Sequence, residues 1–382
     1  MSTQRAQIDA LTGLRGIAAC WVVIYHMHEF DAIPDLIALP LRHGYLAVDV
    51  FFVLSGFVMA FNYKHLFAHG FSKENFAVFL IRRIARIYPL YIAITLVLVA
   101  LSLRHLDNSF RLNAFIYNGA LNILLVEMWG LGSPIDGPSW SISTEAAAYL
   151  LFPFLSAAAL FGRGKHAVIV GSFCLMILLF LTTLPTPPSY PFPRQGPLDI
   201  SWDGFPWPLI RCIAEFSIGL LTFRAYNNPM IFSIVSKPTC GAMIVAGIAA
   251  ALFTSNLDVA FVLLVPALVI SLCSKNLGAK MLASPLAVFF GEISYAMYLL
   301  HYPLLRIRPV VASHLGNIIG ADLADFAALL LFYGILLASS WMCFKCIEQP
   351  GRRLIRNIER SVFPRADALL RVNESPRKSA SG

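Results

Sequence analysis

Arg15 and His26 stand in "GLRGIAACWVVIYHMHEF", residues 13–30, a stretch otherwise apolar enough to enter a lipid bilayer. Charged groups at membrane depth cost a few kcal/mol each on insertion scales, so each needs a partner, a water-filled cavity or a task. At about 100° per residue, the spacing from 15 to 26 returns to nearly the same helix face roughly 16 Å farther along. The two side chains therefore line one groove. Three more polar residues stand at the ends of apolar runs: Asp49 in "YLAVDVFFVLSGF", Glu145 in "GPSWSISTEAAAYLLFP" and His301 in "ISYAMYLLHYP". On helices of alternating direction, these three and His26 all project to the outer third of the membrane. Two imidazoles and two carboxylates at one depth suit proton transfer. A neutral histidine takes a proton from a hydroxyl, and a carboxylate orients it and stabilises the imidazolium. Any one of them alone is more often an interfacial residue satisfied by water or hydrogen bonds. The coincidence of four points to chemistry.

A second cluster lies in "FLIRRIARIYPLY", residues 79–91. By charge alone, Arg82, Arg83 and Arg86 are anchors of the positive-inside kind. Arg83 and Arg86 also share a face just before the membrane, a geometry that grips phosphates by forked hydrogen bonds. Arg211 and Glu215, four apart, neutralise each other on one helix face and read as structural. Glu292 either pairs with an inner basic residue or has a role that stays open.

The elements that must position these residues are membrane helices. Of 382 residues, 58% are apolar and only 13% charged, with a mean hydropathy of +0.70, against roughly a quarter charged in soluble domains. At about 20 apolar residues per crossing, spans fall near 8–28, 44–62, 87–103, 139–161, 167–184, 207–224, 238–254, 257–274, 286–305 and 323–344. The fold class is all-α: a polytopic bundle of about ten transmembrane helices. A spanning barrel needs alternating segments of about ten residues, and these runs are continuous. The first span is longer than a signal-peptide core and is expected to be retained. Residues 113–133 are apolar enough for an eleventh crossing, which would invert every later loop; a re-entrant or surface helix is the preferred reading. Lys and Arg concentrate on one set of connections, leaving Arg42, Arg104, Arg111, Arg194, Arg306 and Arg308 on the other. Both termini are therefore expected in the cytoplasm. Residues 1–360 form the membrane domain and 361–382 a short basic tail, while the Pro-rich 185–208 forms an outer loop. The net charge of +8 is explained by topology and anionic lipid, so no nucleic-acid partner is expected. The seven cysteines show neither metal-ligand spacing nor paired frameworks and are read as packing residues.

These segments together resemble the acyltransferase-3 family of integral membrane acyltransferases, which includes O-antigen, exopolysaccharide and Nod-factor O-acetylases. The resemblance runs from about residue 6 to 356. It opens with an arginine, ten residues and a histidine at Arg15 and His26, and continues through "VDVFFVLSGFVM", "RRIARIYPLY", "SWSISTEAAAYLLFP", "ISYAMYLLHYPL" and "CIEQPGRRL". After Glu145 the family often has another acidic residue and an aromatic; here "AAAY" follows, leaving Glu145 as the carboxylate of that segment.

The resemblance implies an enzyme of the bacterial cytoplasmic (inner) membrane with acyl-CoA, by default acetyl-CoA, as co-substrate. No tightly bound cofactor is implied. The acceptor would be a hydroxyl of a carbohydrate, a lipid-linked glycan or another envelope molecule. Arg83 and Arg86 would hold the donor's phosphates, and Arg15 would hold the donor or support the groove. His26 would act as general base, or as nucleophile in a covalent relay, with Glu145 or Asp49 orienting it. His301, Ser139 and Trp140 are assigned supporting places. The rival reading is a transporter or exporter that uses buried His, Asp and Glu as a proton pathway. Neither repeated halves nor correspondingly broken helices support it.

Overall fold

The structure is a computed structural model and describes residues 3–27, 33–103, 109–188, 190, 194–254 and 256–364, among which there is no strand. In chain order the helices are α1 (Thr3–Tyr25), α2 (Asp35–Arg42), α3 (Ala47–Tyr63), α4 (Lys73–Ser102) and α5 (Ser109–Leu124). Then come α6 (Trp140–Ser156), α7 (Gly164–Thr182), α8 (Trp207–Tyr226), α9 (Pro229–Val235) and α10 (Pro238–Phe253). The chain closes with α11 (Asp258–Leu272), α12 (Leu277–Leu282), α13 (Pro285–Ile319), α14 (Ala321–Cys343) and α15 (Gln349–Val362).

Two helix pairs form the spine. The backbones of α1 and α13 touch directly: a Cβ on Gly291 would lie 2.0 Å from the Thr12 carbonyl oxygen, and one on Gly16 would lie 2.6 Å from the Gly291 nitrogen. Between α3 and α8 the same contact recurs, a Cβ on Gly56 falling 2.0 Å from the Phe216 carbonyl oxygen. In lipid there is little hydrophobic gain in joining two apolar helices, so close backbone approach through small residues supplies the attraction.

Among the described residues, five helical stretches are long and apolar enough to cross a membrane: Asp35–Phe67, Lys73–Ser102, Gly137–Phe161, Gly164–Thr182 and Leu323–Val362. A sixth would form if α9 and α10, bent by 71° at their junction, count as one. The protein is thus an integral membrane protein, though fewer helices qualify by apolarity than the ten expected. The shortfall has a physical cause in at least two helices. Arg211, Glu215 and Arg224 lie within α8, and Glu292 and His301 within α13, so their hydropathy is diluted by the groups that mark the interior. α13 also differs from the expected span at 286–305, since it continues through Pro303 and Pro309 to Ile319.

Two connections are more structured than the sequence suggests. α5 is a 16-residue helix, and Leu125, at φ 58°, turns the chain back. The following loop docks on α6, where Ser143 Oγ accepts from the Met128 amide at 3.2 Å and the Ser143 carbonyl accepts from Trp129 Nε1 at 3.1 Å. The Pro-rich segment also folds inward, burying Leu198, Ile200 and Trp202. Two carboxylates hold it. Asp258 accepts from the Leu198 amide (2.7 Å) and Tyr45 hydroxyl (2.9 Å), and Asp199 from the Gln195 amide (3.0 Å) and Tyr25 hydroxyl (3.3 Å). Burial raises the Asp199 carboxyl above the usual carboxylate range.

α14 passes through a π-helical turn, Phe344–Glu348, into α15. A buried ion pair then fixes α15 on α4: Arg82 Nε meets Glu359 Oε2 at 3.0 Å, and Nη2 meets Oε1 at 3.1 Å. α15 carries the chain to Val362, slightly past the expected domain boundary at 360. From residue 365 the expected tail lies outside the described residues.

Candidate active site

A cavity of about 590 Å³ opens between α1, α3, α4, α6, α13 and α15. Its cationic end is lined by Arg83 and Arg86 from α4 and by Arg352 and Arg356 from α15. Arg83 donates to the Tyr63 hydroxyl at 2.6 Å, and its guanidinium stands 4.8 Å from that ring's centroid. Arg86 faces Glu348 at 3.7 Å. Of the arginines in "RRIAR", Arg82 is the one committed to bracing α15 through Glu359.

Arg15 also reaches this cavity. Its Nε donates to Ser294 Oγ at 3.0 Å and its Nη2 to the Gly291 carbonyl at 2.6 Å, so the backbone contact between α1 and α13 also sets the guanidinium. Glu145 sits on the same cavity wall beside Ser55 and Tyr149, with Arg83 and Arg15 as its charged neighbours. The far end of the cavity is apolar and aromatic, closed by Phe51, Phe52, Ile142 and Tyr298.

Beyond that end lie the two imidazoles. His26 occupies the turn that ends α1, and its Nδ1 is 2.9 Å from the Val22 carbonyl oxygen. A carbonyl can only accept, so Nδ1 carries the proton and Nε2 is the basic nitrogen. His301, fully buried on α13, brings its Nε2 to 3.4 Å from His26 Nδ1. The Tyr25 and Tyr302 rings meet His26 edge-on, with centroids 5.1 and 5.8 Å away. His26 itself is half-buried, while neither imidazole lines the cavity.

The structure thus divides the expected constellation of two imidazoles and two carboxylates. It unites His26 with His301, but both carboxylates go elsewhere. Glu145 faces the arginines rather than His26, because it lies a turn and a half into α6, on the stretch that lines the cationic cavity. Asp49 is taken by Arg211, which grips both its carboxylate oxygens and also reaches Glu215 Oε1 at 3.3 Å. These three side chains are 0–1% exposed, so Asp49 belongs to a charge cluster between α3 and α8. Orientation of His26 falls to the Val22 carbonyl and His301 in place of a carboxylate. Trp140 packs beside the same cluster, its ring centroid 6.0 Å from the Arg211 guanidinium carbon, and Ser139 is buried at the start of α6. Glu292 lines the cavity.

Sequence reasoning overlooked Arg352 and Arg356, which "CIEQPGRRL" and the residues after it present only as loop charge. It also overlooked Tyr298, Tyr63 and Tyr149. The strong amphipathicity of 349–362 was the available signal for the first two, since a helix with one polar face at a membrane boundary must aim that face at water or at a charged site.

A helical membrane bundle that holds a cation-mouthed cavity against an imidazole pair has the build of a group-transfer enzyme. The sequence matches the family model described as an acyltransferase domain over residues 8–345, and the chain belongs to this acyltransferase-3 family; it is an acyltransferase. It is 27% identical over 379 residues to the acyltransferase MdmB of Streptomyces mycarofaciens, covering 93% of this chain and 94% of MdmB. It is 24% identical over 382 residues to the peptidoglycan O-acetyltransferase OatA of Listeria monocytogenes, covering 91% of this chain but 56% of OatA. A third relative is the putative peptidoglycan O-acetyltransferase YrhL of Bacillus subtilis, 26% identical over 201 residues, covering 48% of this chain and 30% of YrhL. No solved structure matches the chain.

Proposed function

We propose that this protein is an O-acyltransferase that moves an acyl group, by default acetyl, from acyl-CoA to a hydroxyl of a carbohydrate or another cell-envelope acceptor. The observation that carries this reading is the division of labour along α1 and α13. A cavity with four arginines at its mouth and aromatic rings at its end stops one side-chain layer short of a half-buried imidazole with a basic Nε2. Arg83, Arg86, Arg352 and Arg356 suit the anionic phosphates of a CoA donor, and the apolar, aromatic lining suits the arm that carries the thioester. Arg15 supports the arm midway. Glu145 offsets part of the arginines' positive charge.

With the termini in the cytoplasm, as the distribution of Lys and Arg suggests, the donor enters from inside. The acceptor reaches His26 from the opposite side, where the imidazole is half-buried. His26 Nε2 removes the proton of the acceptor hydroxyl as its oxygen attacks the thioester carbonyl carbon. The C–S bond breaks, the CoA thiolate leaves, and the imidazolium returns the proton to that thiolate or to water. His301 Nε2, facing His26 Nδ1–H, shares the proton there and steadies the cation.

General-base assistance is typically worth 10² to 10⁴ in rate. His26→Ala should therefore lower acyl transfer by that factor in proteoliposomes supplied with labelled acetyl-CoA and cell-envelope extract, with protein abundance unchanged. Undiminished transfer would overturn the assignment. Mass spectrometry of surface glycans and secreted small molecules, with and without the protein, identifies the acceptor.

A further inference from the structure

On α13 four residues fall along one stripe: Gly291 and Ser294, which hold Arg15, then Tyr298, then His301. Tyr298 is the layer between the donor cavity and the imidazoles. It lines the cavity, it is 6% exposed, and its ring centroid lies 5.9 Å from that of His301 on the other side. The ring is held in place at both ends. Its hydroxyl lies 2.8 Å from Ser141 Oγ and donates to the Pro138 carbonyl at 3.0 Å, and Phe51 meets the ring edge-on at 5.8 Å.

A donor anchored by its phosphates at one end of a closed cavity has one part of variable length, the acyl group, and that part points at the closed end. We propose that Tyr298 is the specificity-determining residue for acyl length, a hydrogen-bonded wall that in its resting position admits short acyl groups to the donor cavity and rejects long ones. This inference rests on the donor reading above. The ring must turn aside for each transfer to His26, breaking two hydrogen bonds to do so. Before that turn it presents a flat apolar wall to the end of the chain. Behind the wall stand His301, His26 and Tyr302, ring against ring.

The test is binding, which needs no acceptor. Affinities of the purified full-length protein in nanodiscs are measured for CoA and for S-alkyl-CoA thioethers of two, four, six and eight carbons. Wild type should bind the two-carbon compound at least tenfold more tightly than the six-carbon one. Tyr298→Ala should abolish or invert that ratio while leaving affinity for CoA itself within about twofold. Tyr298→Leu serves as a smaller change should the alanine variant fail to fold, and it should shift the preference by two or more carbons. Tyr298→Phe keeps the wall and should keep the preference. Equal affinity of wild type for all four chain lengths would overturn the proposal, as would an unchanged preference in a folded Ala or Leu variant. Failure of wild type to bind CoA at all would instead remove the donor reading beneath it.

Discussion

At the scale of single residues, the site depends on which arginines are already satisfied. Arg82 spends its guanidinium on Glu359 inside the protein, whereas Arg83 and Arg86 face the cavity, Arg83 against the Tyr63 hydroxyl and Arg86 partly opposed by Glu348. Substituting both Arg83 and Arg86 by alanine removes charge-assisted contacts worth about 1.5–3 kcal/mol each. The Michaelis constant for acyl-CoA should rise at least tenfold in steady-state assays, with a smaller change in turnover. An unchanged constant would return both residues to the role of topology anchors. Helical period, legible in the sequence, places Arg15 and His26 on one face of α1, but not in one groove: Arg15 lines the cavity and bonds Ser294 and Gly291, whereas His26 stands beyond the cavity's end against His301. The fate of Asp49 is not legible there, because its partner Arg211 is 162 positions away and only tertiary packing joins them.

At the scale of elements, two devices set the geometry, and each has a measurable cost of failure. Gly291→Leu would drive a side chain into the Thr12 carbonyl. Overpacking of this kind costs about 1–3 kcal/mol, and here it also separates Arg15 from its two partners on α13. Such a variant should lose both thermal stability and transfer; full retention of both would remove the glycine contact as the organising joint. The Arg82–Glu359 pair behaves differently, since removing one partner leaves a buried charge alone, at roughly 3–5 kcal/mol. Arg82→Ala should therefore destabilise α15 more than Arg82→Met combined with Glu359→Leu does, as read by protease sensitivity after residue 348. Equal sensitivity in the two would refute this account. Both devices are hard to read from sequence for one reason: glycines and surface-like charges signal nothing until the neighbouring helix is in place. α8 and α13 illustrate the converse, for their polar residues make them look less like membrane helices precisely where they build the interior.

For the whole molecule, composition makes the helical, membrane-embedded character plain, and "RRIARIYPLY" and the Arg15 to His26 spacing make the family plain. The inward folding of the Pro-rich segment and of the loop after α5 is not legible, because it depends on buried carboxylates and turn geometry. Another buried carboxylate, Asp136 in the loop after α5, makes stability depend on pH. Burial pushes Asp136 up to about 8, the distant Arg306 opposing this only weakly, and neither carboxylate oxygen has a hydrogen-bond partner. An unfolded aspartate ionises near pH 4, so between about pH 4 and 8 the folded state holds a proton that the unfolded state releases. Asp136 thus favours the fold most below about pH 4, and that contribution falls by a few kcal/mol as pH rises to about 8. Asp136→Asn should flatten the fall of melting temperature between pH 5 and 8 and raise it at pH 8; an identical slope in both proteins would refute the claim. The direct backbone contact of α1 with α13 has a consequence for motion. Two helices locked through Gly16 and Gly291 travel as one rail, so the guanidinium at one station and the imidazole at the other stay a constant interval apart. Carriage of the acyl group over that interval by a donor arm, as proposed above, needs no rocking of α1 against α13.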